Sequence, residues 1–216
     1  MVDYEESPIK QNQKIKQFIG WFMAILFPFT AKGVIAITNM PIISALIYWS
    51  ICGVLLKTII DKKLPYFNAH FSKIKKELTI LIALTLLYLL LYSINLNTLS
   101  LKSLNLIVFL YVVFSGILEP LIGINICELA GCRVKLVGII AACIHGVFMQ
   151  IILLGALMPA VLYSPFFWIF QISIYINVFI IYIKTSDITI WSCQHIVFNL
   201  ITIILWGLGP AALLNS

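Results

Sequence analysis

The chain has 216 residues, of which 62% are apolar and only 10% charged, with a mean hydropathy of +1.08. Soluble domains carry about 45–50% apolar and about 25% charged residues, and a fold of this length has too little interior to hide such an apolar share. A soluble enzyme, a nucleic-acid-binding domain and a disordered chain are therefore excluded, and the formal charge of +6 comes from Lys/Arg clusters beside uncharged runs, a pattern that orients membrane proteins.

The N-terminal tail, 1–16, mixes Asp3, Glu5 and Glu6 with Lys10, Lys14 and Lys16. It lacks the charge pattern of a secretory signal, and no small-residue cleavage site follows the first apolar run, so that run is expected to be retained. A crossing helix needs about 20 apolar residues. Seven runs qualify: Phe18–Ile37, Pro41–Ile60, Leu78–Ile94, Leu104–Ile126, Val134–Leu157, Phe166–Ile183 and Ile188–Leu208. Pro28 and Pro41 allow kinked or re-entrant segments in the first pair. The reading is an all-α bundle, one transmembrane domain over 1–216, with about seven spans and an eighth left open.

Between the second and third runs, Asp61–Glu77 carries five lysines among Leu64, Tyr66, Phe67, Phe71 and Ile74. It reads as a basic cytoplasmic loop that fixes topology, or as a surface helix on anionic lipid. The stretch Leu136–Ile183 contains no Asp, Glu, Lys or Arg; only Met158-Pro159 and Ser164-Pro165 divide it. With the N-terminus inside, the cytoplasmic loops hold Lys62, Lys63, Lys73, Lys75, Lys76, Arg133, Lys135 and Lys184 besides the tail lysines. The outer loops hold little beyond Lys102. N-terminus in and C-terminus out is the expected topology, and lipid is the first expected partner. Ile/Asn/Lys-rich, Arg-poor usage fits an AT-rich genome, so a bacterial plasma membrane is the expected location.

Five cysteines (Cys52, Cys127, Cys132, Cys143, Cys193) lie in or beside apolar runs without zinc-type pair spacing. Neither a disulfide framework nor a zinc knuckle is expected.

Ionisable groups inside a membrane are costly and mark function. From the fourth run onward, three lie well inside: Glu119, His145 and His195. Counted from Glu128, Lys135 and Asp187 at 1.5 Å per residue, they sit about 13, 15 and 12 Å deep. Three helices thus place a carboxylate and two imidazoles at one depth. Asn199 follows His195 by four residues and shares its helix face. Gly116, Gly123 and Gly146 flank the set and permit close helix approach. A carboxylate can take a proton from water, an imidazole can position that water, and a second imidazole with an amide can stabilise an oxyanion. That is a hydrolase inventory; the plainer reading is a polar cluster that glues helices together. Cys143-Ile144-His145 and Cys193-Gln194-His195 suggest soft metal ligands, but residues two apart on a helix face about 200° apart. Glu119, His145 and His195 would make a zinc ligand set with an open position. The residues alone leave that alternative open, although no metal or other cofactor is expected.

The order of an intramembrane Glu, a His one helix later and a C-terminal His-x-x-x-Asn resembles the CPBP group, the CAAX-prenyl-protease and bacteriocin-processing (Abi) intramembrane proteases. The best match is Tyr182 to Asn199, similar to the family's hydrophilic turn, aromatic residue and final His-x-x-x-Asn, and the resemblance covers Ser115–Leu208. Where the family has Glu-Glu-x-x-x-Arg, this chain reads Leu118-Glu119-Pro120-Leu121-Ile122-Gly123-Ile124. The family's Phe-x-x-x-His appears as Ala141-Ala142-Cys143-Ile144-His145. The resemblance implies a catalytic-type core over 115–208, with Glu119 activating water and His145, His195 and Asn199 assisting. It implies an endopeptidase acting on a membrane-associated peptide or small membrane protein, in peptide maturation or bacteriocin self-immunity. The alternative is a catalytically inactive relative that binds a peptide as an immunity or accessory protein.

Overall fold

A computed structural model describes residues 8–55, 59, 74–94, 106–157 and 165–206. Among them the chain is all-helical, with seven α-helices: α1 (Pro8–Thr38), α2 (Pro41–Trp49), α3 (Lys75–Ile94), α4 (Leu106–Ala130), α5 (Lys135–Leu157), α6 (Pro165–Thr185) and α7 (Thr189–Trp206). A π-helical stretch, Ser50–Leu55, continues α2. Each helix overlaps one of the seven apolar runs. Four segments are long and apolar enough to cross a membrane: Gln11–Thr38, Phe109–Ala130, Lys135–Leu153 and Pro165–Thr185. Pro41–Leu55 and Thr189–Ile204 are shorter apolar helices. Most of the basic stretch Asp61–Glu77, together with Lys57, Ser100 and Lys102, lies outside the described residues.

The first two prolines behave differently. Pro28 sits inside a continuous α1, where it removes one backbone donor, while Pro41 opens α2, the position where a missing N–H costs nothing. Pro8 likewise opens α1, so helix begins within the stretch read from sequence as a tail. Nothing between Pro8 and Phe18 breaks it.

Helix α4 is central. Its apolar window is 67% buried inside the protein, against 28% for that of α1, whose Phe18, Phe22, Phe29 and Ile37 are exposed. Apolar side chains turned outward and packed side chains turned inward are what lipid as solvent requires. Small residues set the closest approaches: a Cβ on Gly20 of α1 would lie 2.3 Å from the Ala130 backbone nitrogen. A satellite aromatic cluster ties α3 to α6 and α7, with the Tyr88 ring 6.1 Å from Phe167, 6.1 Å from Phe170 and 5.0 Å from Phe198.

One end of the bundle is basic. There the Cys132 thiol donates to the Gln13 carbonyl at 3.3 Å, and Asn177 Nδ2 donates to the Glu77 carbonyl at 2.9 Å. Tyr182 donates to Glu128 and Lys184 pairs with Glu77. These contacts bring the start of α1 to the turn after α4, and the start of α3 and the end of α4 to α6. Every described Lys and Arg except Lys32 lies at this end. The Lys184 ammonium holds the Glu77 carboxyl below the ordinary carboxylate range. Stability from this depressed carboxylate is present above its unfolded pKa and lost as pH falls through the folded one.

The π-helical stretch is anchored by Asn125, which is 1% exposed and donates through Nδ2 to the carbonyls of Cys52 (3.2 Å) and Gly53 (2.8 Å). Asn125→Leu removes the donor to both buried carbonyls. It is expected to destabilise the protein by about 1–3 kcal/mol, the cost of an unsatisfied buried polar group, read as a lowered unfolding midpoint in detergent.

Candidate active site

Two helices running in opposite directions carry the centre of the site. On α4, Ser115 and Glu119 are one turn apart; on α7, His195 and Asn199 are one turn apart. They meet as a two-rung ladder. His195 Nε2 lies 3.1 Å from Glu119 Oε2, and Asn199 Nδ2 donates to Ser115 Oγ at 3.1 Å. With the carboxylate ionised it only accepts, and Nε2 is then the nitrogen of His195 that carries the donated proton.

Glycine makes the ladder short enough to close. A Cβ on Gly116 would stand 2.1 Å from Ile196 Cγ1 and 3.1 Å from the Ile196 backbone nitrogen. Two turns along α4, a Cβ on Gly123 would stand 2.7 Å from the Trp191 ring. Pro120, next to Glu119, has no N–H for the Gly116 carbonyl, so the backbone hydrogen-bond ladder is broken beside the site.

Two uncharged residues complete the carboxylate's surroundings. Tyr175 OH on α6 donates to Glu119 Oε1 at 3.1 Å, and Gln150 Nε2 on α5 donates to the same oxygen at 3.1 Å. Gln150 Nε2 also lies 3.1 Å from Tyr175 OH. Room for the phenol ring comes from Gly146, where a Cβ would be 2.6 Å from Tyr175 Cε2. Four helices therefore converge on one carboxylate.

His145 stands one step away. It is 5% exposed, and its ring stacks on Tyr48 of α2 with centroids 6.3 Å apart and planes 18° from parallel. The α1 backbone at Met23 and Ala24 lies against it. Its Nδ1 is buried without a hydrogen-bond partner. Of the four residues singled out in the sequence, Glu119 and His195 are in direct contact, Asn199 is one rung away, and His145 makes no hydrogen bond to Glu119. Ser115, Gln150 and Tyr175 are not among the residues singled out in the sequence, where the search began from carboxylates and imidazoles inside the apolar runs. Their signal was available: Gln150 is one of few amides in the uncharged stretch Leu136–Ile183, and a buried amide needs a partner.

No three His, Cys, Asp or Glu side chains among the described residues are placed to hold a metal ion. All five cysteines are free, with Cys52 and Cys127 buried and Cys193 exposed. The turn before α7 is set by Asp187, whose Oδ1 accepts from the Thr189 N–H and from Thr189 Oγ1, both at 2.7 Å. This local cap starts the helix that delivers His195.

Comparisons with protein-family models, with curated proteins and with solved structures give no match. The geometry of the site is the ground for a functional reading.

Proposed function

We propose that this chain is an intramembrane hydrolase of the CPBP type, cleaving a membrane-associated peptide or small membrane protein with water activated by Glu119. The observation that carries the reading is the Glu119–His195 contact at 3.1 Å, with the side chains 14% and 7% exposed. A bilayer-embedded acid–imidazole pair is expensive and is kept where function uses it.

The chemistry follows from the hydrogen bonds. Oε1 is occupied by Tyr175 and Gln150, and Oε2 by His195. A carboxylate offers about four lone-pair sites, which leaves one on Oε2 for a water molecule. Glu119 takes a proton from that water as its oxygen attacks the scissile carbonyl carbon. The proton then passes to the leaving amine nitrogen as the C–N bond breaks. Asn199, one turn from His195, supplies an amide donor for the oxyanion once substrate displaces its contact with Ser115. His145, with an unpartnered nitrogen, positions water or substrate.

The proposed membrane arrangement is seven crossings in alternating directions, the basic end cytoplasmic and the membrane a bacterial plasma membrane. Reporter fusions or cysteine accessibility should place Arg133 in the cytoplasm and Ser100 outside. Both on one side would remove a crossing and the common depth of the site.

A second reading is an inactive relative that binds a peptide as an immunity or accessory protein. It is favoured by one observation: a single Glu is present where the family motif has two, and either Gly123 or Ile124, depending on which Glu is matched, stands where that motif has Arg. The two readings separate on Asn199→Ala in a reconstituted peptide-cleavage assay. Loss of an oxyanion donor is expected to lower turnover by about 10- to 10³-fold, whereas an inactive relative shows no turnover to lose.

A further inference from the structure

We propose that the Glu119 site opens away from the basic end, so that water and the scissile bond reach it from the outer face of the membrane. For its substrate, a membrane-anchored peptide cut on its outer side, the inference rests on the hydrolase reading. The direction of opening rests on packing alone.

Toward the basic end the carboxylate is sealed. One turn from the site in that direction, α4 carries Gly123, α6 Phe179 and α7 Trp191. The three meet. The Phe179 and Trp191 rings stand edge to face with centroids 4.9 Å apart, and a Cβ on Gly123 would lie 2.7 Å from the Trp191 ring and 3.3 Å from that of Phe179. Ile122, Ile126, Ile181 and Ile188, each at most 1% exposed, continue the layer. Ser192 is buried at this level, and Ile188 closes the next turn of α7 beneath it. On the flank of α1 and α2, the buried Tyr48, Met23 and Ala24 enclose His145. An interior packed to this density leaves water no path.

Toward the other end the same helices turn polar. One turn out, α4 carries Ser115, α6 Gln171 and α7 Asn199. Asn199 donates to Ser115, and Gln171 lies against the Tyr175 hydroxyl. Thr202 extends the stripe: it follows His195 by seven residues, on the same face and about 10 Å further out. Its hydroxyl is buried without a partner, whereas Thr38, Thr85 and Ser173 bond the carbonyl four residues back. A buried hydroxyl that forgoes that bond needs another partner, and on this face the partner is water or a peptide group entering the site. Exposure is retained on this side, where the Glu119 side chain is 14% exposed and Gln150 and Asn199 are half-buried. Beyond Glu119 and His195 the wall offers amides and hydroxyls, which pair with the main chain of an extended peptide. The lysines collect beyond the seal, so with the basic end cytoplasmic the polar wall leads outward.

The test is side-specific thiol labelling of the full-length protein in bacterial membranes with methanethiosulfonate ethylsulfonate, which does not cross lipid. Adducts are located by peptide mass spectrometry, which separates each reporter from the five native cysteines. Lys135→Cys, exposed at the basic end, marks the cytoplasmic side. Thr202→Cys, a near-isosteric change, and Gln171→Cys report the opening. Both reporters should label about tenfold or more faster in spheroplasts than in inside-out vesicles, because the other route requires local opening of the Trp191–Phe179 layer. Lys135→Cys should do the reverse. Reporters that label from the Lys135→Cys side, equally from both sides, or only after denaturation overturn the proposal, as does an inverted pattern for all three variants. Modifying Thr202→Cys from the outside should also abolish peptide cleavage, and cleavage that persists overturns the substrate route. A protein that cleaves nothing yet labels as expected loses the hydrolase reading and keeps the opening.

Discussion

Glu119→Gln is expected to lower peptide turnover by about 10²-fold or more, the range that a positioned acid–base group supplies, with peptide binding nearly unchanged. Glutamine keeps the volume and the carbonyl acceptor, so Tyr175 still has an oxygen to donate to. What disappears is the carboxylate on which the four helices converge. The surrounding hydrogen bonds sharpen the expectation. Tyr175→Phe removes one of two donors to Oε1 and leaves Gln150, so its loss should be about 10-fold, the worth of one hydrogen bond at about 1 kcal/mol or slightly more. His145→Ala should resemble Glu119→Gln. The measurement is steady-state cleavage of a peptide by reconstituted protein, paired with expression level and unfolding midpoint, because a buried polar substitution also acts through folding. If a cellular immunity function survives both Glu119→Gln and His195→Ala at wild-type expression, the hydrolase reading falls and the binding role stands.

The helices were legible because lipid imposes a simple rule on sequence: long apolar runs bounded by charge or proline. Each of the seven runs overlaps a helix, and most described boundaries move by a few residues, but α1 begins ten residues before Phe18 because nothing between Pro8 and Phe18 breaks it. The end of α4 extends from Ile126 to Ala130 because Asn125 and Glu128 find partners there. The π-helical turn at Ser50–Leu55 had no signal in composition. It depends on an asparagine 72 residues away donating to the Gly53 carbonyl, a long-range contact that no local pattern reports. Within the site, spacing was sufficient for His195 and Asn199, since i, i+4 on one helix fixes a common face. It was also sufficient to bring Glu119 to their depth. Depth says nothing about rotation around a helix axis. That is why His145 points toward Tyr48, while Gln150, about one and a half turns deeper on the same helix, reaches the carboxylate. Tyr175 was hidden for a different reason: a tyrosine in an apolar run reads as packing until its hydroxyl is seen to have an acceptor.

Gly138→Ala and Gly33→Ala should change stability in opposite directions, although both replace glycine inside a helix. Alanine is the better helix former by about 1 kcal/mol, and at Gly33, where nothing lies within 4 Å of the added methyl, that preference acts alone. Gly33→Ala is therefore expected to stabilise by up to about 1 kcal/mol. Gly138 sits in the hairpin that joins α4 to α5, with its new Cβ 2.1 Å from the Cys127 carbonyl oxygen and 2.9 Å from Gly131 Cα. Both obstacles are backbone, so no side chain can rotate out of the way, and the Cys127 carbonyl is already held by the Gly131 N–H at 2.9 Å. Relief requires α5 to move off α4, loosening the packing that carries Gln150 and Glu119 toward each other. Overpacking of this kind costs about 1–3 kcal/mol and occasionally more, which outweighs the gain in helix propensity. At about 2–4 °C per kcal/mol for a chain of this size, Gly138→Ala should lower the unfolding midpoint by several degrees while Gly33→Ala leaves it unchanged or raises it. A Gly138→Ala protein as stable as the wild type would mean that the two helix ends do not approach as closely as the structure places them. The carboxylate site, built on the same helix pair, would then lose its geometric support.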